Sequence, residues 1–453
     1  MMPPTDQPTH PVPSAAHHRL RRAGLVGALL AAGLIAVVQP AAALTTPELA
    51  LNSDSPVGTD REPLSWRVRC AKTPIPVNLA PNARTQPAGT TKIRSSRLPG
   101  GGRTNVWTYQ TLARGHRTTG YLAITTLPVG SGRYQPDVLN RGVTSFAPLR
   151  DLTPNPRTVA AVNGDYWDLN SNSILRGAQV VRGHIVKAYR TPRDVVGMTR
   201  HNRMARSSVS VEGSVAVGRR HLRLESINGH AIVGGGVNVY TSWWGRGPRP
   251  FPTGTVEVLA ERVGDKTVVR QVARSARART GKLRWTVPTR HIVLAARGAA
   301  GAALAQLRPG RHVDVTYRGR WSGGSALYSA IGQGLTLVSG ARDALGRCTQ
   351  STERVVPRTM IAWRDGGRTA LLITANSGFR TRDGSRSGGA SVWTMTDAAI
   401  RAGATDAVFV DGGASTTMLI RTSTRRGTAP YRVDLPRNSR QRTIVNGLGF
   451  TVR

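Results

Sequence analysis

The sequence predicts an α+β fold, with strand-rich mixed sheets and a few flanking helices in a single large domain. Three observations lead there. Short apolar segments of strand length recur along the chain, separated by turn residues. The 453 residues include 50 Gly and 28 Pro, a loop-rich composition unlike that of a helical bundle. Only two stretches carry helical periodicity.

At the N-terminus, HHRLRRAGLVGALLAAGLIAVVQPAAA has a basic flank (Arg19, Arg21, Arg22), a sixteen-residue apolar run from Ala23 to Val38, and small residues ending at Ala43. This is the layout of a secretory signal peptide. Residues 1–43 are therefore expected to be cleaved, leaving a secreted or cell-envelope protein that meets a membrane only through that segment. An uncleaved anchor is the competing reading, but the run is shorter than the roughly 20 residues a bilayer span needs. Residues 44–103 are rich in Pro, Thr, Ser and Gly and read as an extended lead-in.

The domain is expected over 104–453, with a β-rich central part at about 205–325. Its strand candidates are VWTYQTL, GYLAITTL, TVAAVNGDYWD, QVVRGHIV, AIVGGGVNVYTSWW, GTVEVLAE, RHIVLAA, HVDVTY, GLTLVS, TMIAW, TALLITA, AVFV and TTMLIR. RGAAGAALAQL (297–307) is a short helix candidate, stopped by Pro309 and Gly310. SVWTMTDAAIRAGA (391–404) places Val392, Met395, Ala399 and Ala402 on one helical face, with Gly403 to close it.

The formal charge is +39, and of 63 basic residues five are Lys and the rest Arg. Such a skew fits a polyanionic partner, since guanidinium forks match phosphate and carboxylate. It fits equally the codon bias of a GC-rich genome. No dense basic block marks a nucleic-acid tail, and export argues further against nucleic acid. Cys70 and Cys348 are candidates for one disulfide in an exported chain; two separate buried thiols are the alternative.

Two places share one construction. In TVAAVNGDYWD an apolar strand runs into Asn163-Gly164-Asp165, and in AVFVDGGASTT another runs into Asp411-Gly412-Gly413. Each sets a carboxylate at a strand end beside glycines that let a ligand approach the backbone. Asp168 follows the first, and Ser415 and Thr416 add hydroxyls to the second. Taken singly, Asn-Gly or Asp-Gly reads equally well as a hairpin turn. Taken together, two carboxylates converging in one cleft suit attack at an anomeric carbon, one acting as nucleophile or base and the other as acid. The histidines lack HxH and HExxH spacing, no Ser lies in a GxSxG elbow, and no loop has EF-hand spacing. No metal and no cofactor are therefore expected.

TVAAVNGDYWD followed by LRGAQVVRGHIV, GLTLVSG, VPRTMIAW, the helix with ATDAVFVDGGASTTM, and QRTIVNGLGF occur in the order that resembles the phosphodiester glycosidases, relatives of the uncovering enzyme. The resemblance spans about 105–453 and implies a catalytic domain that hydrolyses the bond between an anomeric carbon and a phosphate oxygen. It implies Asp411 and Asp165 as catalytic carboxylates and Arg358 as a phosphate clamp, since a guanidinium can hold two oxygens. Asn163, Gly164, Asp168, Gly412, Gly413, Ser415, Thr416 and Asn446 would bind or support the substrate.

Departures concern the substrate. Leu175-Arg176-Gly177 stands where relatives have Pro-x-Gly, TANSGFRTRDGSRSGGAS replaces a DGR-like loop, and Ala414 replaces a third glycine. Extra arginines (Arg176, Arg380, Arg382, Arg386) fit an anionic substrate such as a cell-wall phosphoglycan. A non-catalytic cell-wall or polyanion-binding protein on the same fold is the alternative, but a binding module for anions has no need of both Asp165 and Asp411. A glycosidase of unphosphorylated sugars would leave Arg358 without an obvious partner.

Overall fold

Alternation along the strands sets the layers. In the strand Arg358–Arg364, Ile361 points to one side while Met360 and Ala362 point to the other. This strand lies inside an eight-stranded sheet ordered Thr90–Arg97, Arg103–Ala113, His116–Leu127, Thr369–Ser377, Arg358–Arg364, Asp406–Phe409, Thr336–Ser339, Arg342–Asp343. A five-stranded sheet runs Tyr431–Arg432, Met418–Ile420, Thr158–Asn163, Asn446–Val452, Tyr134–Asn140. Ile361, Leu372 and Val408 of the first sheet bury against Val138, Val162, Met418 and Phe450 of the second, so the two pack face to face.

The computed structural model describes residues 90–113, 116–168, 174–245, 247–274, 287–345, 354–377, 388–435 and 440–453. The signal segment, Cys70, Cys348, Arg380, Arg382 and Arg386 lie outside these residues. Within the segment read as a lead-in, Thr90–Arg97 is an edge strand paired with Arg103–Ala113.

The helix Val392–Arg401 covers the outer face of the larger sheet, burying Val392, Met395 and Ala399 against Met360, Leu371 and Phe409. The Ser391 hydroxyl caps it by accepting from the Thr394 N–H at 3.1 Å. Gly403, at φ +79°, ends it in the left-handed conformation foreseen for a closing glycine.

Eleven strands between Gln179 and Gly332 close into a barrel. One pair, Arg220–Ile227 with Val237–Thr241, is parallel, so the sheet is mixed. The helix Gly298–Ala305 inserts Ala300 and Leu304 into the barrel core. These are the two α-helices among the described residues, and the α+β expectation is corrected toward a mostly β molecule. Its strand-rich, mixed-sheet part stands.

Barrel and sheets meet through the short strand Ser329–Gly332. It pairs with Arg193–Met198 inside the barrel. The chain then continues to Gly334, whose N–H donates to the Phe409 carbonyl of the large sheet at 2.8 Å. Asp165 and Asp411 lie at this junction.

Candidate active site

The strand Thr158–Asn163 is buried along its whole length between Met418–Ile420 and Asn446–Val452. Its chain partners are thus remote in sequence, and Asn163-Gly164 leads out of the sheet instead of turning a hairpin. Asp165 follows at 4% exposure. Its Oδ1 accepts from the Tyr166 N–H at 2.7 Å and its Oδ2 from the Gly177 N–H at 2.8 Å, while its own N–H donates to Asn446 Oδ1 at 2.8 Å.

Two glycines make room for this carboxylate. A Cβ on Gly177 would stand 2.2 Å from Asp165 Oδ2, and one on Gly332 would stand 2.3 Å away. Burial pushes the Asp165 carboxyl up to about 7, and the nearby charge of Asp411 pushes the same way. The hydrogen bonds from Gly177 and Tyr166 and the charge of Lys187 oppose that rise.

The second carboxylate stands where the chain leaves one sheet for the other. Asp406–Phe409 belongs to the eight-stranded sheet and Met418–Ile420 to the five-stranded one, with Asp411 to Thr417 crossing between. The Gly412 N–H donates to Asp411 Oδ1 at 2.9 Å, and the Gly413 N–H to the Pro357 carbonyl at 2.8 Å. Gly413 sits at φ +59°, and a Cβ on Gly412 would press to 2.9 Å from the Pro357 oxygen.

The crossing is held to the Asp165 loop. The Asp411 N–H donates to the Gly164 carbonyl at 2.9 Å, and Asn163 Nδ2 donates to the Asp411 carbonyl at 2.6 Å. Asn163 Oδ1 accepts from Thr359 Oγ1 at 2.7 Å and from the Thr417 N–H at 3.0 Å. Asn163 therefore ties together three strand ends. Asn446 acts similarly: its carbonyl accepts from the Gly164 N–H at 3.0 Å and its Nδ2 donates to Gln179 Oε1 at 3.1 Å.

Arg358 opens its strand beside Pro357, buried at 8% exposure. Its Nε donates to the Ala390 carbonyl at 3.3 Å and its Nη2 to the Arg354 carbonyl at 2.9 Å, with the guanidinium 5.4 Å from the centre of the Phe409 ring. Burial lowers its pKa to about 10, which leaves it charged at neutral pH. The Tyr166 phenol is electrostatically coupled to Arg358, Asp411 and Asp165 together. It lies against Gly334, where a Cβ would meet its hydroxyl at 2.9 Å.

Ser415 and Thr416 are buried, and their hydroxyls have no hydrogen-bond partner among the described residues. Behind them, Asp434 accepts from Arg432 Nε at 2.8 Å, Asn376 Nδ2 at 2.9 Å and the Met418 N–H at 3.1 Å. Arg432 also donates to the Thr416 carbonyl, so a buried ion pair fixes the floor. Asp168 is at the rim, 3.9 Å from Arg176.

Residues 265–451 match the phosphodiester glycosidase family. The match takes in Arg358, the Asp411 crossing and Asn446, and begins after the Asp165 loop. The family resemblance carried by the motifs is thus met over that span. No curated protein matches the chain. In fold, the chain resembles a protein from Burkholderia pseudomallei K96243 whose name marks it as exported, with TM-score 0.60 and 14% identity over 85% of this chain and 100% of the other. It also resembles a hypothetical protein from Synechocystis, with TM-score 0.58 and 17% identity over 77% of this chain. The alignment spans 62% of the Synechocystis chain's length. The catalytic domain of zebrafish N-acetylglucosamine-1-phosphodiester alpha-N-acetylglucosaminidase, auto-inhibited by its pro-peptide, aligns at TM-score 0.38 with 12% identity over 81% of this chain and 90% of its own, too weak a likeness to weigh.

Sequence reading missed several residues of this cluster. Tyr166 was inside the NGDYWD motif, but nothing in that string shows its phenol coming within electrostatic reach of Arg358. Gly177 and Gly332 matter only because Asp165 Oδ2 lies between them. Lys187, fully buried and within electrostatic reach of Asp165, had a signal that went unused: it is one of five lysines in an arginine-rich chain.

Proposed function

We propose that the protein is an exported hydrolase of sugar phosphodiesters, cleaving the bond between the anomeric carbon and the phosphate oxygen. The observation that carries this reading is the hydrogen-bonded union of the Asp165 loop with the Asp411 crossing, which puts two carboxylates in one site beside the buried charge of Arg358.

In this mechanism Arg358 and the hydroxyls of Ser415 and Thr416 receive the phosphate. Asp411 faces the anomeric carbon and stabilises the positive charge that develops there. Asp165, with its proton affinity near neutrality, takes a proton from the attacking water. The C–O bond breaks as the water oxygen bonds to carbon, and the phosphate monoester departs with the bonding pair. Because that leaving group is stable as an anion, no strong general acid is needed. The arginine-rich surface and Arg176 at the rim favour anionic phosphoglycans, such as those of cell walls, over small neutral aglycones.

The test is release of free sugar from a panel of sugar-1-phosphodiesters by the chain beginning at residue 44, beside Asp411→Asn and Asp165→Asn. Turnover by the parent and by neither variant supports the proposal. Equal binding of phosphoglycans by all three with no turnover would replace it with a polyanion-binding role.

A further inference from the structure

Lys187 belongs to the strand His184–Tyr189 of the barrel and is 0% exposed. Among the described residues its Nζ has no hydrogen-bond partner. A buried ammonium without a hydrogen bond carries a large desolvation penalty, which an opposite charge can offset. The choice of residue is also unusual for this chain, which uses Arg for all but five of its basic positions. Lysine is the cation whose protonation yields most readily to its surroundings.

The backbone shows where the side chain belongs. Lys187 stands opposite Gln179 in the antiparallel pair, next to a bulge between Ile185 and Lys187. Gln179 Oε1 accepts from Asn446 Nδ2 at 3.1 Å, and Asn446 Oδ1 accepts from the Asp165 N–H at 2.8 Å. Cross-strand neighbours share one face of a sheet, so Lys187 lies on the face that holds the Asp165 loop. Its ammonium is 5.2 Å from the centre of the Tyr189 ring, and the Arg193 guanidinium is 5.1 Å from that same ring.

We propose that Lys187 is a positioning residue of this site, its ammonium serving as the buried counter-charge to the Asp165 carboxylate. The charged and titratable groups around the pair are Asp411 and Tyr166 on the side of Asp165, and Arg193, Tyr189 and His230 on the side of Lys187. Among these, Asp411 repels the Asp165 charge and Arg193 repels that of Lys187; Asp165 is the opposite charge that favours the Lys187 ammonium, while the Asp165 carboxylate is favoured first by the Gly177 and Tyr166 N–H groups and then by Lys187. Burial drives the two in opposite directions, Asp165 up to about 7 and Lys187 down to about 7.

The claim about charge stands without the catalytic reading; its consequence for rate rests on that reading. A double-mutant cycle in urea, using Lys187→Met, Asp165→Asn and both together in the full chain, tests the first. Each single replacement is expected to lower the midpoint, and the double to lower it by less than the sum. Should Lys187→Met fail to fold alone, recovery of folding in the double variant is the same coupling. Strict additivity, or failure of single and double variants alike, overturns the pairing.

The pH profile of kcat/KM for sugar-1-phosphodiester hydrolysis tests the second. In Lys187→Met the limb that reports Asp165 is expected to move up by about one unit or more, the size of shift an adjacent opposite charge produces. An unmoved limb with reduced kcat would mean that Lys187 only packs, and overturns the positioning role. Coupling in urea with no turnover of any sugar phosphodiester would retain the pair and refute the glycosidase reading.

Discussion

The backbone N–H of Asp411 donates to the carbonyl of Gly164 at 2.9 Å, joining two segments almost 250 residues apart at the point where each presents its carboxylate. The spacing of Asp165 and Asp411 is therefore set by main chain and not by side-chain choice. Perturbing the tie should damage both halves at once.

Asn163 is the side chain that reinforces the tie, with hydrogen bonds to the Asp411 carbonyl, Thr359 Oγ1 and the Thr417 N–H. Replacing it with Ala leaves those buried groups unanswered, and the expected loss of stability is about 2–3 kcal/mol. Urea unfolding will show this as a lower midpoint, accompanied by loss of turnover. Asp411→Asn should instead abolish turnover with the midpoint nearly unchanged.

Room for Asp165 depends on glycine. Gly177→Ala puts a Cβ 2.2 Å from Asp165 Oδ2, which must shift the carboxylate. A displacement of that kind is expected to lower kcat about 100-fold while KM changes little. Gly413→Ala is the control: φ is +59° there but no atom lies within 4 Å of the new Cβ, so it should cost about 1–2 kcal/mol in stability with a smaller effect on kcat. Steady-state kinetics on the two variants separates the cases.

The pH dependence has a definite sign. In the proposed mechanism Asp165 acts as a base only when ionised, and burial raises its pKa to about 7. Activity should therefore fall as pH drops below about 7, by about tenfold per unit in kcat/KM. An ordinary carboxylate would hold full activity down to about pH 5. A profile flat from pH 5 to 8 would remove Asp165 from the proton transfer.

The floor of the site rests on Arg432 and Asp434, whose side chains are 1% and 0% exposed. Arg432→Met leaves a buried carboxylate without its partner and should cost about 3–5 kcal/mol. Arg432→Met combined with Asp434→Leu should cost less than the single change, because no uncompensated charge remains. Thermal or urea unfolding of the two variants checks the order.

Much of this was legible in the residues. The strands TMIAW, TALLITA and AVFV, the helix closed at Gly403, and the Asn-Gly-Asp and Asp-Gly-Gly motifs declare themselves by local periodicity and by turn chemistry that acts over a few residues. The strand content was legible too, as were both helices; the α+β label gave those two helices more weight than a mostly β molecule does.

What the sequence by itself determined was therefore the set of elements, the paired carboxylate motifs and the family resemblance they carry. The tertiary structure decided whether those motifs turned hairpins or led out of one sheet toward another. A hairpin and a sheet-to-sheet crossing can share the string Asp-Gly, and which one forms depends on long-range pairing: Met418–Ile420 joins Thr158–Asn163, while Asp406–Phe409 joins Arg358–Arg364. It likewise decided that Asn163 and Asn446 hold the loops, that Gly177 and Gly332 flank Asp165, and that Lys187 is buried within electrostatic reach of it. Burial and electrostatic partnership arise from packing between remote segments, and no local pattern encodes them.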